Sequence, residues 1–350
     1  MSTRADEIEV HVHYPGLTEA PVLRADVDWD VDIEATSVDH DAGRYEYLLR
    51  PTEPFVYFKA VLRDADGEER WACGPNRLAT ASSERVIDVF PFFEPSGARV
   101  TELQSCTYGG ATYSYRVFLP PGYDETTLHY YPTLYMNDGH NLFFRQESST
   151  GKDWGVDDTL AALDEMTSVE QVIVVGVYPN DRMLDYTRQG EAAYCEFLCD
   201  GLVPHIQEEY RSLSQPEHCA LMGSSLGGVS ALSCAWERPD RFGMAGCLSA
   251  SFGYDDDLAK RVLATRKPEL RVYLDSGWPK DNFEVTRDMR ARLVRAGFDE
   301  GRTLLYFAFP GGRHSEHHWG DRCHVPFQFL FGHRSDDRSR AGQHAFDAAG

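Results

Sequence analysis

Basic residues are scarce in this sequence, and lysine is the scarcest of them. The 350 residues include 34 Lys and Arg, only five of them Lys, against 56 Asp and Glu, so the formal net charge is −22 at pH 7. A surface of that sign repels phosphate backbones and anionic lipids. Nucleic acid and anionic membranes are therefore excluded as expected partners.

Long apolar runs are also absent. No stretch approaches the roughly 18 uninterrupted apolar residues of a membrane-spanning helix, and residues 1–14 lack the apolar core of a secretory signal. The chain still has 42% hydrophobic and 12% aromatic residues, which is enough to bury the core of one large domain or of two. We expect a globular cytoplasmic protein without a membrane partner.

Paired Cys-x-x-Cys motifs are missing among the eight cysteines, several of which lie in apolar runs such as residues 244–248. In the cytoplasm such cysteines are usually buried and reduced, so the sequence favours free thiols over disulfides. His314, His317, His318 and Cys323 are close in the sequence, but their spacing matches no strong zinc signature. We expect no metal and no cofactor.

The residue pattern changes once along the chain. Between residues 9 and 93, short alternating segments are separated by turn sequences such as Asp-Ala-Gly at 41–43, which is typical of antiparallel strands. We predict a small β-sandwich over residues 1–95. From residue 96 to 332, strand-like and helical segments alternate, which predicts an α/β domain whose mostly parallel sheet is covered on both faces. Residues 333–350, rich in Ser, Asp and Arg, are expected to form a flexible tail.

The second region has a regular series of predicted elements. The apolar, β-branched run at 172–177 suits a central parallel strand, and the helical pattern at 225–237 stops before Pro239. Further strands are predicted at 115–119, 133–136, 219–222, 244–249, 270–274 and 303–309, and further helices at 156–166, 192–209 and 282–296.

The most informative motif is Gly-Ser-Ser-Leu-Gly at residues 223–227, a G-x-S-x-G sequence between a predicted strand and a predicted helix. A serine at such a turn needs a strained backbone, and flanking glycines remove the Cβ atoms that would collide with the strand and the helix. Ser225 is the predicted nucleophile, held at the top of the sheet beside the N–H groups of a helix N-terminus.

A serine is a poor nucleophile near neutral pH, so this hypothesis needs a base and an acid later in the chain. His314, after Gly311 and Gly312 on the loop that follows the last predicted strand, is the expected base. Two carboxylates compete for the role of acid. We favour Asp281, in the loop before the next helix, over Asp275, which ends its strand and could instead bind backbone amides.

Acyl transfer also needs hydrogen-bond donors that face the developing oxyanion. The N–H of Leu226, directly after the nucleophile, is one candidate. The other is the N–H of Gly139 or of His140, in the Gly-containing turn that follows the predicted strand at 133–136.

Five stretches of the second region together resemble the Putative esterase family of α/β-hydrolases. This family includes enterochelin (ferric-siderophore) esterases and the feruloyl and acetyl-xylan esterases. The stretches are residues 115–123, 131–139, 223–228, 238–242 and 311–314 followed by Trp319. The resemblance covers residues 116–330 and implies an α/β-hydrolase fold, a serine nucleophile at Ser225, a base at His314 and an acid that matches Asp281. The chain departs from the family at Asn137, where relatives often carry histidine, and at the Trp-Pro-Lys sequence before Asp281.

Two further residues are candidates for substrate binding. Arg182 occupies a position where relatives place an arginine beside the pocket, although an ion pair with Asp185 or Glu191 is an equal alternative. Trp71 lies in a segment similar to the closing strands of starch-binding and related sandwich modules, in which an exposed tryptophan stacks on sugar. Packing of Trp71 and Trp29 within the sandwich or against the hydrolase domain is the favoured alternative.

The expected function is hydrolysis of a carboxylic ester through a Ser-His-Asp triad, most similar to that of a siderophore esterase. A carbohydrate esterase that removes feruloyl or acetyl groups, with a glycan-binding N-terminal module, is the second hypothesis. The third is a binding protein with a hydrolase fold and no catalysis. The expected partner is a small-molecule or glycan-linked ester.

Overall fold

The computed structural model describes residues 7–51, 53–63, 66–80 and 86–333. The tail predicted at 333–350 lies, apart from its first residue, outside the described residues. In the described part of the chain, no helix has the length and apolar character needed to cross a membrane.

The N-terminal region consists of two small sheets packed face to face. Alternating side chains point inward, so that Val10 and Tyr45 of one sheet share a core with Leu23 and Phe58 of the other. One sheet has the order β4-β5-β1-β9, and the other has the order β3-β2-β6, with β7 and β8 both pairing with β6. The strands are β1 (Ile8–His13), β2 (Val22–Ala25), β3 (Asp28–Ile33), β4 (Ser37–Asp39), β5 (Arg44–Leu49), β6 (Phe55–Arg63), β7 (Glu69–Trp71), β8 (Arg77–Thr80) and β9 (Val86–Val89).

A larger sheet forms the centre of the second region. Within the described residues its order is β10-β12-β14-β13-β15-β16-β17-β18, with β11 paired to β12. The strands β13 to β18 run parallel, and β12 is antiparallel to β14. The strands are β10 (Arg99–Val100), β11 (Gln104–Tyr108), β12 (Ala111–Leu119), β13 (Thr133–Asn137), β14 (Ile173–Tyr178), β15 (Cys219–Ser224), β16 (Met244–Leu248), β17 (Arg271–Trp278) and β18 (Leu304–Pro310).

Helices cover both faces of this sheet. Leu134 and Met136 of β13 pack on the side of α1 and α9, whereas Tyr135 between them packs on the side of α5. Because both faces are buried, the central strands are apolar throughout rather than alternating. The helices are α1 (Val156–Glu165), α2 (Arg182–Asp185), α3 (Glu191–Glu196), α4 (Val203–Glu209), α5 (Leu226–Glu237), α6 (Leu258–Ala264), α7 (Phe283–Arg295), α8 (Glu316–Gly320) and α9 (His324–Phe331).

These observations confirm the fold class predicted from the sequence, an α/β-hydrolase sheet preceded by an all-β region. The last N-terminal strand ends at Val89 and the first strand of the large sheet begins at Arg99. A domain boundary at residue 95 falls between them and stays a prediction.

The single helix predicted at 192–209 is divided in the structure. A π-helical segment, Phe197–Leu202, separates α3 from α4. Pro204 stands at the start of α4. A proline ring cannot approach the carbonyl four residues earlier, so the turn before it widens.

The expectation of free thiols throughout is wrong for one pair of cysteines. Cys195 of α3 and Cys234 of α5 form a disulfide, and Cys199 lies beside them with its Sγ 3.7 Å from that of Cys234. The helices α3 and α5 pack side by side on the sheet, which brings together cysteines that are 39 residues apart. Spacing along the sequence does not reveal such a contact.

The two regions are joined through the carboxylate of Glu125. One of its oxygens accepts hydrogen bonds from the backbone N–H of Phe93 at 2.7 Å and from the Tyr14 hydroxyl at 2.8 Å, and the other accepts from the N–H of Glu94 at 2.9 Å. Burial and the bond to Glu125 raise the pKa of Tyr14 to about 12, which moves its ionisation further above neutral pH.

We expect Glu125→Ala to destabilise the protein by about 1.5–3 kcal/mol, because three donors lose a charged acceptor. Urea unfolding of the variant and the wild type measures this loss. Glu102→Ala, at an exposed acidic position between β10 and β11, is the control and should change the unfolding free energy by less than about 0.5 kcal/mol. Equal effects of the two variants would contradict the role given to Glu125.

Candidate active site

Ser225 lies at a sharp turn between β15 and α5. Its backbone has φ 55° and ψ −123°, a conformation that non-glycine residues rarely adopt. Such strain persists only where the surroundings fix it, and it is common at functional sites. The turn places Ser225 at the carboxyl edge of the parallel strands, where loops from neighbouring strands converge.

The glycines on either side allow this turn to pack closely. A Cβ on Gly223 would lie 2.6 Å from the backbone carbonyl of Gly227, and a Cβ on Gly227 would lie 3.2 Å from the Cβ of Asn137. Strand β15 and helix α5 therefore meet with no room for a side chain at Gly223, and a side chain at Gly227 would force the loop after β13 to shift.

The second part of the site is a contact between Asp281 and His314. The Nδ1 atom of His314 lies 2.7 Å from Oδ1 of Asp281. Asp281 follows β17 in a turn where it and Asn282 have φ values of 103° and 57°. His314 lies on the loop after β18 and its side chain is 37% exposed, whereas that of Asp281 is 2% exposed.

Three donors hold the Asp281 carboxylate. Besides His314, the Ser249 hydroxyl donates to Oδ2 at 2.7 Å and the backbone N–H of Gly277 donates to the same oxygen at 2.8 Å. Burial tends to raise the pKa of the Asp281 carboxyl, but the hydrogen bonds from His314, Ser249 and Gly277 outweigh it and hold this pKa below its usual range. An ionised carboxylate only accepts, so the proton on His314 is at Nδ1 and Nε2 is left as an acceptor.

The alternative acid, Asp275, is bound elsewhere. It is completely buried and accepts two hydrogen bonds from Arg322, at 2.8 Å and 3.1 Å, and one from the Tyr273 hydroxyl at 2.9 Å. Its carboxylate also accepts from the N–H of Ser249 at 3.3 Å. Burial raises the pKa of Asp275 despite the nearby Arg322. The structure thus places Asp281, and not Asp275, against His314.

Ser249 connects these two carboxylates, and the sequence analysis did not identify it. Its hydroxyl donates to Asp281 and accepts from Nη2 of Arg322 at 2.6 Å and from the indole N–H of Trp319 at 2.9 Å. The Trp319 ring also meets the His314 ring edge to face, with centroids 4.9 Å apart. The position of Ser249 at the end of the predicted strand at 244–249 was the available signal for it, whereas nothing local marked Arg322.

The Ser225 hydroxyl contacts Ser251 in this structure. The two Oγ atoms are 3.1 Å apart, and Ser251 also accepts from the side-chain amide of Asn282 at 3.0 Å. No hydrogen bond joins Ser225 to His314 among the described residues. Because Asn282 follows Asp281 directly in the chain, the surroundings of the serine and of the histidine are nevertheless connected.

The predicted oxyanion loop lies next to the nucleophile. Asn137 binds the carbonyl of Gly227 at 2.8 Å and accepts from the Tyr194 hydroxyl at 2.7 Å, which fixes the loop to the start of α5. Gly139 packs on β14, where a Cβ would lie 2.5 Å from the backbone of Gly176. His140 follows it in a 3₁₀ turn, Gly139–Asn141. Leu226 is the first residue of α5, so its N–H has no acceptor within the helix.

Arg182 does not pair with either partner considered from the sequence. It binds both oxygens of Asp138, at 2.9 Å and 3.0 Å, next to the oxyanion loop. Asp185 instead accepts from Tyr113 and from the backbone of Asn180, and Glu191 pairs with Arg261. The expected pairs are therefore wrong, because α2 folds back over the β13 loop and brings Arg182 to Asp138. Its role in substrate binding stays a prediction.

Trp71 lies in β7 of the N-terminal region and is 38% exposed. Its ring centroid is 6.1 Å from that of Trp29, and the Arg24 guanidinium lies over its face at 5.3 Å. The two tryptophans therefore contact each other on this sheet, as expected from the packing alternative, while part of Trp71 stays accessible. Its binding of sugar is untested and stays a prediction.

His317 and Cys323, which are close to His314 in the sequence, contact different partners in the structure. His317 lies 3.5 Å from Asp321, and Cys323 is buried with its Sγ 3.6 Å from the Thr159 hydroxyl.

Comparison with known proteins finds a family model for this region. The model described as Putative esterase matches residues 105–330. An uncharacterized protein of Bacillus subtilis strain 168, YbbA, is 23% identical in an alignment over 215 residues that covers 55% of this chain and 82% of that protein.

Solved structures of similar fold extend the comparison. The enterobactin esterase FES of Shigella flexneri, in the presence of enterobactin, is 12% identical, with 89% of this chain and 88% of that chain covered and a TM-score of 0.55. The ferulic acid esterase AmCE1/Fae1A of Anaeromyces mucronatus, in complex with ferulic acid, is 20% identical, with 67% and 90% covered and a TM-score of 0.52. At these identities the likeness shows the fold alone.

We expect Gly223→Ala to disrupt the nucleophile turn, because its Cβ would meet the backbone of Gly227. The overpacking should cost about 1–3 kcal/mol of stability and reduce ester hydrolysis further by moving Ser225. Thermal unfolding and the hydrolysis rate measure both effects. Gly97→Ala, where a Cβ would have no neighbour within 4 Å, should leave both near the wild-type values, and a similar loss in both variants would contradict the packing argument.

Proposed function

Because the chain belongs to the Putative esterase family and is a carboxylic ester hydrolase, we propose that Ser225, His314 and Asp281 are its catalytic triad. The observation that carries this proposal is the 2.7 Å contact between Asp281 and Nδ1 of His314. It leaves Nε2, the other ring nitrogen, as an acceptor for a serine proton. The order Ser, Asp, His along the chain is the order found in α/β-hydrolases.

The first step is attack of Ser225 Oγ on the ester carbonyl carbon. Its proton passes to Nε2 of His314, and the ionised Asp281 stabilises the imidazolium that forms. For this step the hydroxyl must turn from Ser251, its partner in this structure at 3.1 Å, towards the histidine.

The carbonyl oxygen becomes negatively charged in the tetrahedral intermediate. The N–H of Leu226 faces it from the start of α5, and the N–H of Gly139 or of His140 would be the second donor. The hydrogen bonds of Asn137 to Gly227 and Tyr194 keep these two donor segments at a fixed distance. Collapse of the intermediate releases the alcohol, which takes its proton from His314.

The acyl-enzyme is then hydrolysed by the reverse sequence. His314 removes a proton from water, the resulting hydroxide attacks the Ser225 ester, and the carboxylic acid leaves as the serine regains its proton. The chemistry requires no group other than these side chains, backbone amides and water.

An aromatic acyl group suits the surroundings of the proposed triad. Met183 and Leu184 follow β14, Tyr254 follows β16, and Trp278 ends β17, so these four exposed side chains belong to the edge of the sheet at which Ser225 lies. Apolar and aromatic side chains around a few polar groups are typical of pockets for small molecules.

Within that class we propose a siderophore-esterase-like substrate, an ester of a phenolic acid. The extent of the structural similarity supports this choice. The enterobactin esterase structure aligns with 89% of this chain, whereas the ferulic acid esterase structure aligns with 67%. The N-terminal sheets are thus part of the first likeness.

A carbohydrate esterase is the second candidate, and one observation favours it. Trp71 is 38% exposed beside Trp29 on the N-terminal sheet, and a partly exposed tryptophan face is suited to stacking on a sugar ring. In this case the N-terminal region would bind a glycan while the triad removes an acyl group from it.

The two carboxylates near the site should respond differently to the same substitution. We expect Asp281→Asn to lower kcat by about 10⁴-fold, as when the carboxylate of a serine-hydrolase triad becomes an amide. Asp275→Asn should instead destabilise the fold by about 3–5 kcal/mol, because the buried Arg322 would lose its closest counter-charge and keep only Asp281 at 3.7 Å. Aryl-ester hydrolysis and urea unfolding of both variants measure the difference, and an unchanged kcat in Asp281→Asn would exclude it as the acid.

Turnover of two substrates should identify the class of ester. We expect release of monomeric acyl units from a catecholate trilactone to exceed release of ferulate from feruloyl-arabinose. Ser225→Ala should turn over neither and should lose labelling by a fluorophosphonate, while Ser214→Ala, at an exposed serine, should keep both. Preference for the feruloyl sugar, with glycan binding lost in Trp71→Ala, would favour the second candidate, and absence of labelling in the wild type would contradict the triad.

A further inference from the structure

A cluster of histidines and carboxylates lies on the outer face of the β4-β5-β1-β9 sheet. Along β1, Ile8, Val10 and Val12 point into the core. Because side chains alternate along a strand, Glu9, His11 and His13 share the opposite face.

The neighbouring strands add further ligand atoms to this face. His11 is directly opposite Glu46 on the antiparallel strand β5 and directly opposite Asp88 on the parallel strand β9. Residues opposite each other on adjacent strands have close side chains. The register therefore places two imidazoles and two carboxylates together, although Asp88 is 75 residues from His13 in the chain.

Three of these side chains converge on one point. Nε2 of His13 lies 2.6 Å and Nδ1 of His11 lies 3.7 Å from the same oxygen of Asp88, and the three candidate ligand atoms are within 4.8 Å of one another. Around a tetrahedral zinc ion with bonds of about 2.0–2.1 Å, ligand atoms are about 3.3 Å apart. Small rotations of these side chains would bring all three into that range.

The second ring nitrogen of His11, Nε2, has the kind of hydrogen-bond partner that metal-bound histidines usually have. Nε2 of His11 is 2.7 Å from a carboxylate oxygen of Glu9. Histidines that bind a metal through one nitrogen usually donate the other N–H to a carboxylate, which fixes the ring and its tautomer. With its proton on Nε2 towards Glu9, His11 presents an unprotonated Nδ1 to the side of Asp88.

The charge on this face also suits a cation. Glu9, Glu46 and Asp88 carry three negative charges, and Arg44, which pairs with Glu46, carries one positive charge. With neutral histidines these four side chains sum to −2, and the exposed Asp39, directly opposite Arg44 on β4, adds a further negative charge to the face. Histidine nitrogens select zinc and similar first-row metals, whereas calcium and magnesium prefer ligand sets made of oxygen alone.

We propose that this face of the N-terminal sheet binds one divalent transition-metal ion of the zinc type, through Nδ1 of His11, Nε2 of His13 and the carboxylate of Asp88. Glu9 orients His11 without touching the ion. The ion would join β1 to β9. Since His13 stacks on Phe90 and Phe90 stacks on His129 of the hydrolase region, it would also stabilise the contact between the two regions. This site is separate from the proposed triad.

Calorimetric titration of the untagged, chelator-treated protein with zinc chloride tests the proposal. We expect one equivalent to bind and the melting temperature to rise with zinc. Asp88→Asn and His11→Ala should lose both effects. Glu9→Gln, which removes the charge but no ligand, should weaken binding by 10–100-fold. Hydrolysis of an aryl ester should stay at the wild-type rate in Asp88→Asn, which separates this result from any failure of the triad.

Two control variants locate the bound ion. His317→Ala removes an exposed histidine that is paired with Asp321, and Cys199→Ser alters the cluster of three cysteines; both should bind zinc as the wild type does. Absence of zinc binding by the wild type, binding that is unchanged in Asp88→Asn, or binding lost in Cys199→Ser would each overturn the proposal.

Discussion

The arrangement of the site depends on the hydrogen bonds of one hydroxyl, that of Ser249. It donates to Asp281, and it accepts from Arg322, whose guanidinium is itself neutralised by the completely buried Asp275. A buried carboxylate is costly unless it is paired and hydrogen bonded. Here the carboxylate that touches His314 is held from behind by a second ion pair, so its position does not rely on the exposed histidine alone.

The proposed nucleophile, Ser225, is positioned by packing rather than by ion pairs. Close contact between Gly223 and Gly227 allows β15 to turn directly into α5, and Asn137 connects this turn to the loop of the oxyanion donors. The parallel sheet brings these separate segments to one edge. Polar side chains that come from five strands and their loops can therefore form one site, although they are distributed over nearly two hundred residues of sequence.

The N-terminal sheets connect to the hydrolase region through specific polar and aromatic contacts. Glu125 binds two backbone amides and Tyr14, and the His13, Phe90 and His129 rings stack in series. The face that carries His11, His13 and Asp88 is next to these contacts. A ligand on that face would thus affect how the two regions are held together without touching the ester-hydrolysing centre.

The sequence by itself determined the fold class, the turn at Ser225 and the loops that carry the proposed catalytic residues His314 and Asp281. These features are local. Each is contained in a short window of residues: the G-x-S-x-G motif, the loop after each strand, and the hydrophobic periodicities of strands and of helices. It favoured Asp281 over Asp275 as the acid but left both open, and it did not reveal Ser249, Arg322, the Asp138 partner of Arg182 or the disulfide between Cys195 and Cys234. Each of these is a contact between residues that are far apart in the chain. Only the tertiary structure decides such contacts, because the register of the strands and the packing of the loops determine which side chains meet.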